Sequence, residues 1–433
     1  MAATPSVAII GGGYAGMAAA VELAARNVPV TVFEAAPSLG GRARRVTVND
    51  TALDNGLHIL IGAYRETLRL IGKVAPPRTQ PSDLLLRLPL DLNVHGKLRL
   101  RAPRLPAPLH LAWALLTAQG LTSADKRAAS RFMQAMKARR WRLGADRSVA
   151  TLLAEHSQPV VLIEYFWSPL CVAALNTPAD RASAQVFLNV LRDSLGGARA
   201  DSDLLLARCD LTALFPKPAA DYVRARGGTV EAGATVDSVT RGNHQFTLHV
   251  QGSKRSFDQV ICAVSPHRTA PLLSGIAELA PVRAQIEALT YEPIHSVWLQ
   301  FDGRVKLPAP MIGLAGSPAQ WLFDRETICG QHGLIGAVIS ASGEHVGEEQ
   351  DALAQRVVAD IAKNFGPLPP LKWHRVIAEK RATFGCTPGL ARPAPRTPCP
   401  DFILAGDYVA SDYPATIEGA VRSGVAAAAM IAA

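Results

Sequence analysis

Two hydrophobic rhythms alternate along the chain. Residues 7–10 are a short unbroken apolar run that leads into three glycines. From 14 to 26, apolar residues recur at helical spacing (Ala15, Ala18, Ala19, Val21, Leu23), and 30–33 is a second apolar run closed by Glu34. The order predicts strand, glycine turn, helix and strand, a βαβ unit. Further on, prolines at 76, 77, 81, 103, 106 and 108 mark joints, and helical spacing resumes around 110–140, 147–156 and 181–195. Residues 235–240, 246–251 and 257–263 read as short antiparallel strands, with Arg241-Gly242-Asn243 as a turn signal between the first two. A strand-rich stretch follows over 291–340, then a helix near 349–365. The last segment predicts a strand at 402–405, a Gly-Asp turn, a loop, and a helix starting near Thr416 and Ile417.

These elements imply an α/β fold: a discontinuous Rossmann-like dinucleotide domain in three pieces, with a mixed α+β domain inserted between them. The pieces are 1–75, 201–270 and 385–433; the insertion comprises 76–200 and 271–384.

Composition narrows the classes. The chain has 433 residues, 48% apolar and 19% charged, enough to bury a large core, so a disordered, collagen-like or coiled-coil protein is excluded. Six cysteines stand at 171, 209, 262, 329, 386 and 399 with no C-x-x-C pair, which fits neither a zinc site nor a disulfide framework. No metal is expected, and a reduced, cytoplasmic setting is. The start shows no secretory pattern, and no apolar run is long enough to span a bilayer.

The net charge of +9 is concentrated. From Lys97 to Arg147 there are 12 Lys/Arg against Asp125 and Asp146, a balance of +10. Within that segment 105–121 is apolar, with Trp113, and has basic flanks at Arg99, Arg101 and Arg104 and at Lys126, Arg127 and Arg131. Such a pattern suits a helix lying on an anionic membrane surface, with a solvated basic face as the alternative. No nucleic-acid-binding motif accompanies the charge.

Three motifs carry chemistry. Gly11-Gly12-Gly13-Tyr14-Ala15-Gly16 is a G-x-G-x-x-G after a strand and before a helix. Its glycines allow a tight turn, close backbone approach to a pyrophosphate and helix packing, while the helix N-terminus offers free N–H groups. Glu34, 18 residues after Gly16, is placed to accept bonds from a ribose diol. Gly40-Gly41-Arg42-Ala43-Arg44 suits a second approach to phosphate, or else a surface turn. Leu404-Ala405-Gly406-Asp407 followed by Tyr413-Pro414-Ala415-Thr416-Ile417-Glu418-Gly419-Ala420 combines an acceptor for sugar hydroxyls with a helix start; there Asp407 is alternatively a cap.

In this order the three motifs resemble the FAD-dependent amine oxidase and phytoene desaturase superfamily. Within it, three stretches resemble the hydroxysqualene dehydroxylase branch: Asp54-Asn55-Gly56-Leu57-His58-Ile59-Leu60-Ile61-Gly62-Ala63-Tyr64, Pro169-Leu170-Cys171-Val172-Ala173-Ala174-Leu175-Asn176-Thr177-Pro178, and Ala182-Ser183-Ala184-Gln185-Val186-Phe187. The resemblance covers nearly the whole chain. It implies non-covalent FAD, with Gly11, Gly13 and Gly16 around the pyrophosphate and Glu34 on the adenosine ribose. Gly41, Arg42 and Arg44 would lie by the phosphates or flavin. Val236 would meet the adenine through its backbone, Gly406 and Asp407 the pyrophosphate and ribityl chain, and Ile417 the flavin edge.

The implied reaction is reductive removal of a hydroxyl from hydroxysqualene, giving squalene in hopanoid or triterpenoid synthesis. A carotenoid-type desaturase or an amine oxidase on the same scaffold is the alternative. Loss of water needs a proton donor, a closed apolar pocket and a positioned hydride. Candidate donors are His58, Asp54, Tyr413, Glu164 and Tyr165, with His58 first because its stretch follows the GGRAR motif. A core histidine, a turn-capping Asp54 and an aromatic core at 164–167 are the plain alternatives. A hydrophobic triterpenoid substrate further implies a peripheral position on the inner face of the cell membrane, and contact with enzymes that supply hydroxysqualene.

Overall fold

The computed structural model describes residues 5–242 and 245–431. At its centre a five-stranded parallel sheet runs in the order Thr229–Ala232, Val30–Glu34, Val7–Ile10, Gln259–Cys262, Phe402–Leu404. Its inner strands Val7–Ile10 and Gln259–Cys262 are buried throughout, as a parallel sheet covered on both faces requires. The first helix, Tyr14–Ala25, packs beside the last, Ile417–Met430. At their crossing a Cβ on Gly424 would lie 2.1 Å from the Ala15 carbonyl oxygen, so only glycine permits this approach. Segments more than 390 residues apart thus share one layer.

The segment 257–263 divides, contrary to the expected single antiparallel strand. Ser253–Phe257 alternates and closes a small antiparallel sheet with Val236–Arg241 and Phe246–Val250. Gln259–Cys262 instead enters the parallel sheet beside Val7–Ile10. The reason is burial: Val260, Ile261 and Cys262 are apolar on both faces. Asn243 of the expected turn lies outside the described residues.

A seven-stranded sheet forms the second layer, in the order Leu371–Phe384, Tyr291–Phe301, Leu334–Ser340, Trp321–Asp324, Met311–Gly313, Asp91–Val94, Leu98–Arg101. Helix Gln350–Phe365 covers one face through Leu353, Ala354, Val357 and Ile361. The helical stretch read at 110–140 is two helices, Leu109–Leu116 and Ser123–Ala138. The second starts where Thr122 Oγ1 accepts from Asp125 N while Asp125 accepts from Thr122 N, a reciprocal cap. Between Val160–Leu162 and Ser168–Leu175, residues Ile163–Trp167 wind as a π-helical turn. Pro169 follows it and has no N–H to close an α turn.

Candidate active site

A cavity of about 930 Å³ opens at the carboxyl ends of the parallel strands, between them and the seven-stranded sheet. Ile10, Glu34, Ala263 and Gly406, each at or just past a strand end, form its floor. This is where open α/β sheets bind ligands, because the strand ends and helix N-termini converge there.

The glycine turn has two kinds of position. Gly11 takes a left-handed φ of +109°, and a Cβ on Gly16 would lie 1.9 Å from the Gly11 carbonyl oxygen. Gly16 is therefore buried packing beneath the turn and not a wall. Gly13 is the opposite case: a Cβ there would meet nothing closer than Gly41 Cα at 3.8 Å, and it faces the cavity. The helix after Gly13 has no side-chain cap and no acid in its first turn, so its N–H groups and dipole are free for an anion. Glu34 accepts from Gly12 N at 2.7 Å and from Ala36 N at 2.8 Å, and each oxygen keeps a lone pair for a ribose hydroxyl.

Arg42 and Asp407 meet across the cavity. Arg42 Nη2 lies 2.6 Å from Asp407 Oδ1, and Nη1 donates to Ala382 O. Burial works against the guanidinium charge, and Asp407 more than offsets it, so the arginine pKa is raised. Arg44 donates to Gly41 O at 2.9 Å and also lines the wall, as do Gly41, Val236 and Ile417. The last helix starts beside them, where Thr416 Oγ1 accepts from Gly419 N at 3.1 Å. Glu418, fully buried, accepts from Glu66 N, from Thr67 N and Oγ1, and from Arg422 Nε. It fastens this helix to Arg65–Val74.

His58 lines the cavity with Nδ1 2.8 Å from Gly56 O. A carbonyl accepts only, so in the neutral ring the proton sits on Nδ1 and Nε2 is a bare acceptor. Burial lowers the imidazole pKa and nearby Arg42 lowers it further, against the opposing Gly56 bond. The remaining walls come largely from the seven-stranded sheet: Ile294, Trp321, Phe323 and Val338, joined by Leu57 and Ile59. Ser296, Ser340, Asn176 and Thr383 are polar exceptions. Asn176, left-handed at φ 46°, donates to Thr383 Oγ1 at 3.0 Å and accepts from Ala341 N at 2.7 Å, tying the helix end to the sheet.

Two expected catalytic residues are not brought to the cavity walls. Asp54 is buried elsewhere, accepting from Leu211 N at 2.7 Å. Tyr413 donates its hydroxyl to Asp193 at 2.7 Å. Glu164 is exposed on the π-helical turn, while Tyr165 and Phe166 pack at the edge of an apolar cluster that adjoins the cavity. The Cys386 thiol, pushed up by burial to about 12, is not a wall either. Sequence reasoning missed His267, Arg268, Glu379 and the sheet-borne walls. Ile294/Ser296, Trp321/Phe323 and Val338/Ser340 are each two residues apart, the spacing of one strand face.

FAD fits these residues: an uncovered glycine floor, an uncapped helix end, an acceptor for ribose and a charged pair at the far edge. His267 Nδ1, buried on the wall with no partner among the described residues, is a polar atom that a ligand would satisfy. Fold and cavity define a two-layer protein with a dinucleotide-binding cleft. Residues 14–432 match the family described as flavin containing amine oxidoreductase, and the chain belongs to it. It is an FAD-dependent oxidoreductase.

Three relatives named hydroxysqualene dehydroxylase align over nearly the whole chain. That of Sinorhizobium fredii is 29% identical over 98% of this chain and 97% of its own length; that of Rhodopseudomonas palustris is 29% identical over 98% of each. A probable zeta-carotene desaturase of Synechococcus elongatus is 25% identical over 98% and 97%. The solved cyclohexylamine oxidase of Brevibacterium oxydans shares the fold, with a TM-score of 0.69 over 99% of each chain and 18% identity.

Proposed function

We propose that the chain reduces hydroxysqualene to squalene within hopanoid-type triterpenoid synthesis. One observation carries the reading: beyond the glycine floor, the cavity continues into a hydrocarbon-lined space walled by Leu57, Ile59, Ile294, Trp321, Phe323 and Val338. The similarity to hydroxysqualene dehydroxylases supports it. In the reaction the C–O bond breaks, the oxygen gains a proton and leaves as water, and a hydride forms the new C–H bond. FAD in its reduced form supplies the hydride when bound.

The chain's own residues do the rest. Glu34, Gly11 and Gly13 would hold the nucleotide end of FAD, and Arg42, pinned by Asp407 and Ala382, would meet its far edge. The apolar walls keep water from the electron-poor carbon. His58 presents Nε2 to the substrate hydroxyl. Once charged, it is a stronger acid than ordinary imidazole, because burial and Arg42 both favour proton release. Delivery of so insoluble a substrate by an associated upstream enzyme belongs to the same reading.

The test is anaerobic incubation of photoreduced, flavin-loaded enzyme with hydroxysqualene, followed by mass spectrometry. Squalene is the expected product, and its absence would overturn the reading. The likeness to zeta-carotene desaturases favours a second reading, dehydrogenation of a polyene. That predicts an oxidised product from oxidised enzyme with no added reductant.

A further inference from the structure

We propose that the surface around helix Leu109–Leu116 seats on an anionic lipid bilayer and gives the cavity access to it. Of the six large apolar side chains exposed among the described residues, four lie in this one stretch: Leu105, Leu109, Trp113 and Leu116. Leu109, Trp113 and Leu116 are four and three positions apart, so they share a helix face. They are 56%, 51% and 67% exposed, while His110 and Ala114 on the other face are buried. Between Arg104 and Asp125 the chain carries no Lys, Arg, Asp or Glu. Scattered exposed leucines need no explanation, but an uncharged face of this kind does.

Charge selects the occupant. Exposed Arg104 borders the face at one end. Lys126 borders it at the other, with Nζ 2.7 Å from Leu116 O. Arg127 and Arg131 stand exposed on the next helix. Both acids of the basic segment are hydrogen-bonded within the chain: buried Asp125 to Thr122, and exposed Asp146 to Ser183 and Gln185. An apolar face ringed by cations matches a bilayer with anionic headgroups. A second copy of the chain would bring the same cations face to face.

The patch is also continuous with the cavity. Ala114 and Ala118 pack in one apolar cluster with Trp321, Phe323 and Val338, which are cavity walls; Leu57, Ile59, Tyr165 and Phe166 adjoin it. Apolar packing therefore runs unbroken from the helix behind the exposed face to the cavity walls. Docking stands independently of the reaction proposed above; its use for loading substrate rests on that reading.

Co-sedimentation of flavin-loaded protein with vesicles tests it. Binding is expected to phosphatidylcholine vesicles containing phosphatidylglycerol, weaker to phosphatidylcholine alone, and to fall with salt. The triple variant Leu109→Ser/Trp113→Ser/Leu116→Ser should bind at least tenfold or so more weakly, and Arg104→Glu/Lys126→Glu should lose roughly tenfold on anionic vesicles only. Unchanged flavin content and melting temperature in both variants would show that folding is intact. Quenching of Trp113 by brominated lipid, absent in Trp113→Phe, reads the same contact without activity. Wild-type protein that stays in the supernatant would overturn the proposal. So would variants that sediment like wild type, or a dimer that becomes a monomer in the triple variant.

Discussion

One hydrogen bond decides what His58 is able to do. With Nδ1 committed to Gly56 O, the neutral ring offers its acceptor to the cavity, and proton donation waits for the charged form. Burial and Arg42 hold the pKa below its ordinary value, so turnover should rise as pH falls towards and below about 6.5. His58→Ala should lower kcat by about 10²–10⁴-fold with flavin absorbance retained. A pH-independent rate together with an active alanine variant would remove His58 from the chemistry. Asp54 makes the contrasting case. Its carboxyl is pushed by burial up to about 7, well above the unfolded value near 3.9. An acid whose folded pKa is raised costs stability as it ionises, with little cost below about pH 4 and the full cost above about pH 7. Asp54→Asn keeps an acceptor for Leu211 N and removes the charge. Its melting temperature relative to wild type should therefore climb between about pH 4 and pH 7 and level off above, with flavin content unchanged. A constant offset across that range would argue against a buried ionisation.

At the scale of elements, the last helix is fastened to Arg65–Val74 by Glu418, whose buried carboxylate satisfies the first N–H groups of that helix. Glu418→Ala strands those donors and Arg422, and should cost roughly 3–5 kcal/mol in denaturant unfolding. Glu418→Gln, which still accepts, should cost less than alanine. The βαβ start, the first two strands of the small antiparallel sheet and the final strand–helix were legible in the chain, from apolar runs or alternation closed by a glycine or polar stop. The sheet's third strand was not, because the polar run Ser253–Ser256 hid it and the apolar run after it belongs to the parallel sheet. Leu371–Phe384 was not: Lys372, His374, Arg375, Glu379, Lys380 and Arg381 interrupt its alternation, since it is an edge strand with much of its length in solvent. In the site, the residues set by backbone chemistry (Gly11, Gly13, Gly41, Glu34, Gly406) could be read from spacing. The walls supplied by the seven-stranded sheet could not, because their nearness to the flavin site depends on how two layers meet and on no local signal. Asp54 and Tyr413 are sequence neighbours of the site that do not line the cavity, because their side chains are bonded to Leu211 and Asp193 instead.

For the whole molecule, a cofactor wedged between two layers should act as a clamp. Removing FAD by dialysis against high halide should lower the melting temperature by about 5–10 °C, and saturating FAD should restore it. Gly13→Val, whose side chain would fill the uncovered floor, should fold with the apo-like melting temperature and bind no flavin. Among the described residues no helix is long and apolar enough to cross a membrane. The central parallel sheet has a consequence during synthesis. Its edge strand Phe402–Leu404 and the helix behind it are made long after Val7–Ile10, yet they frame the same cleft. A nascent polypeptide therefore carries an open-sided half-cleft until this strand and helix have emerged and docked, and flavin capture waits for them.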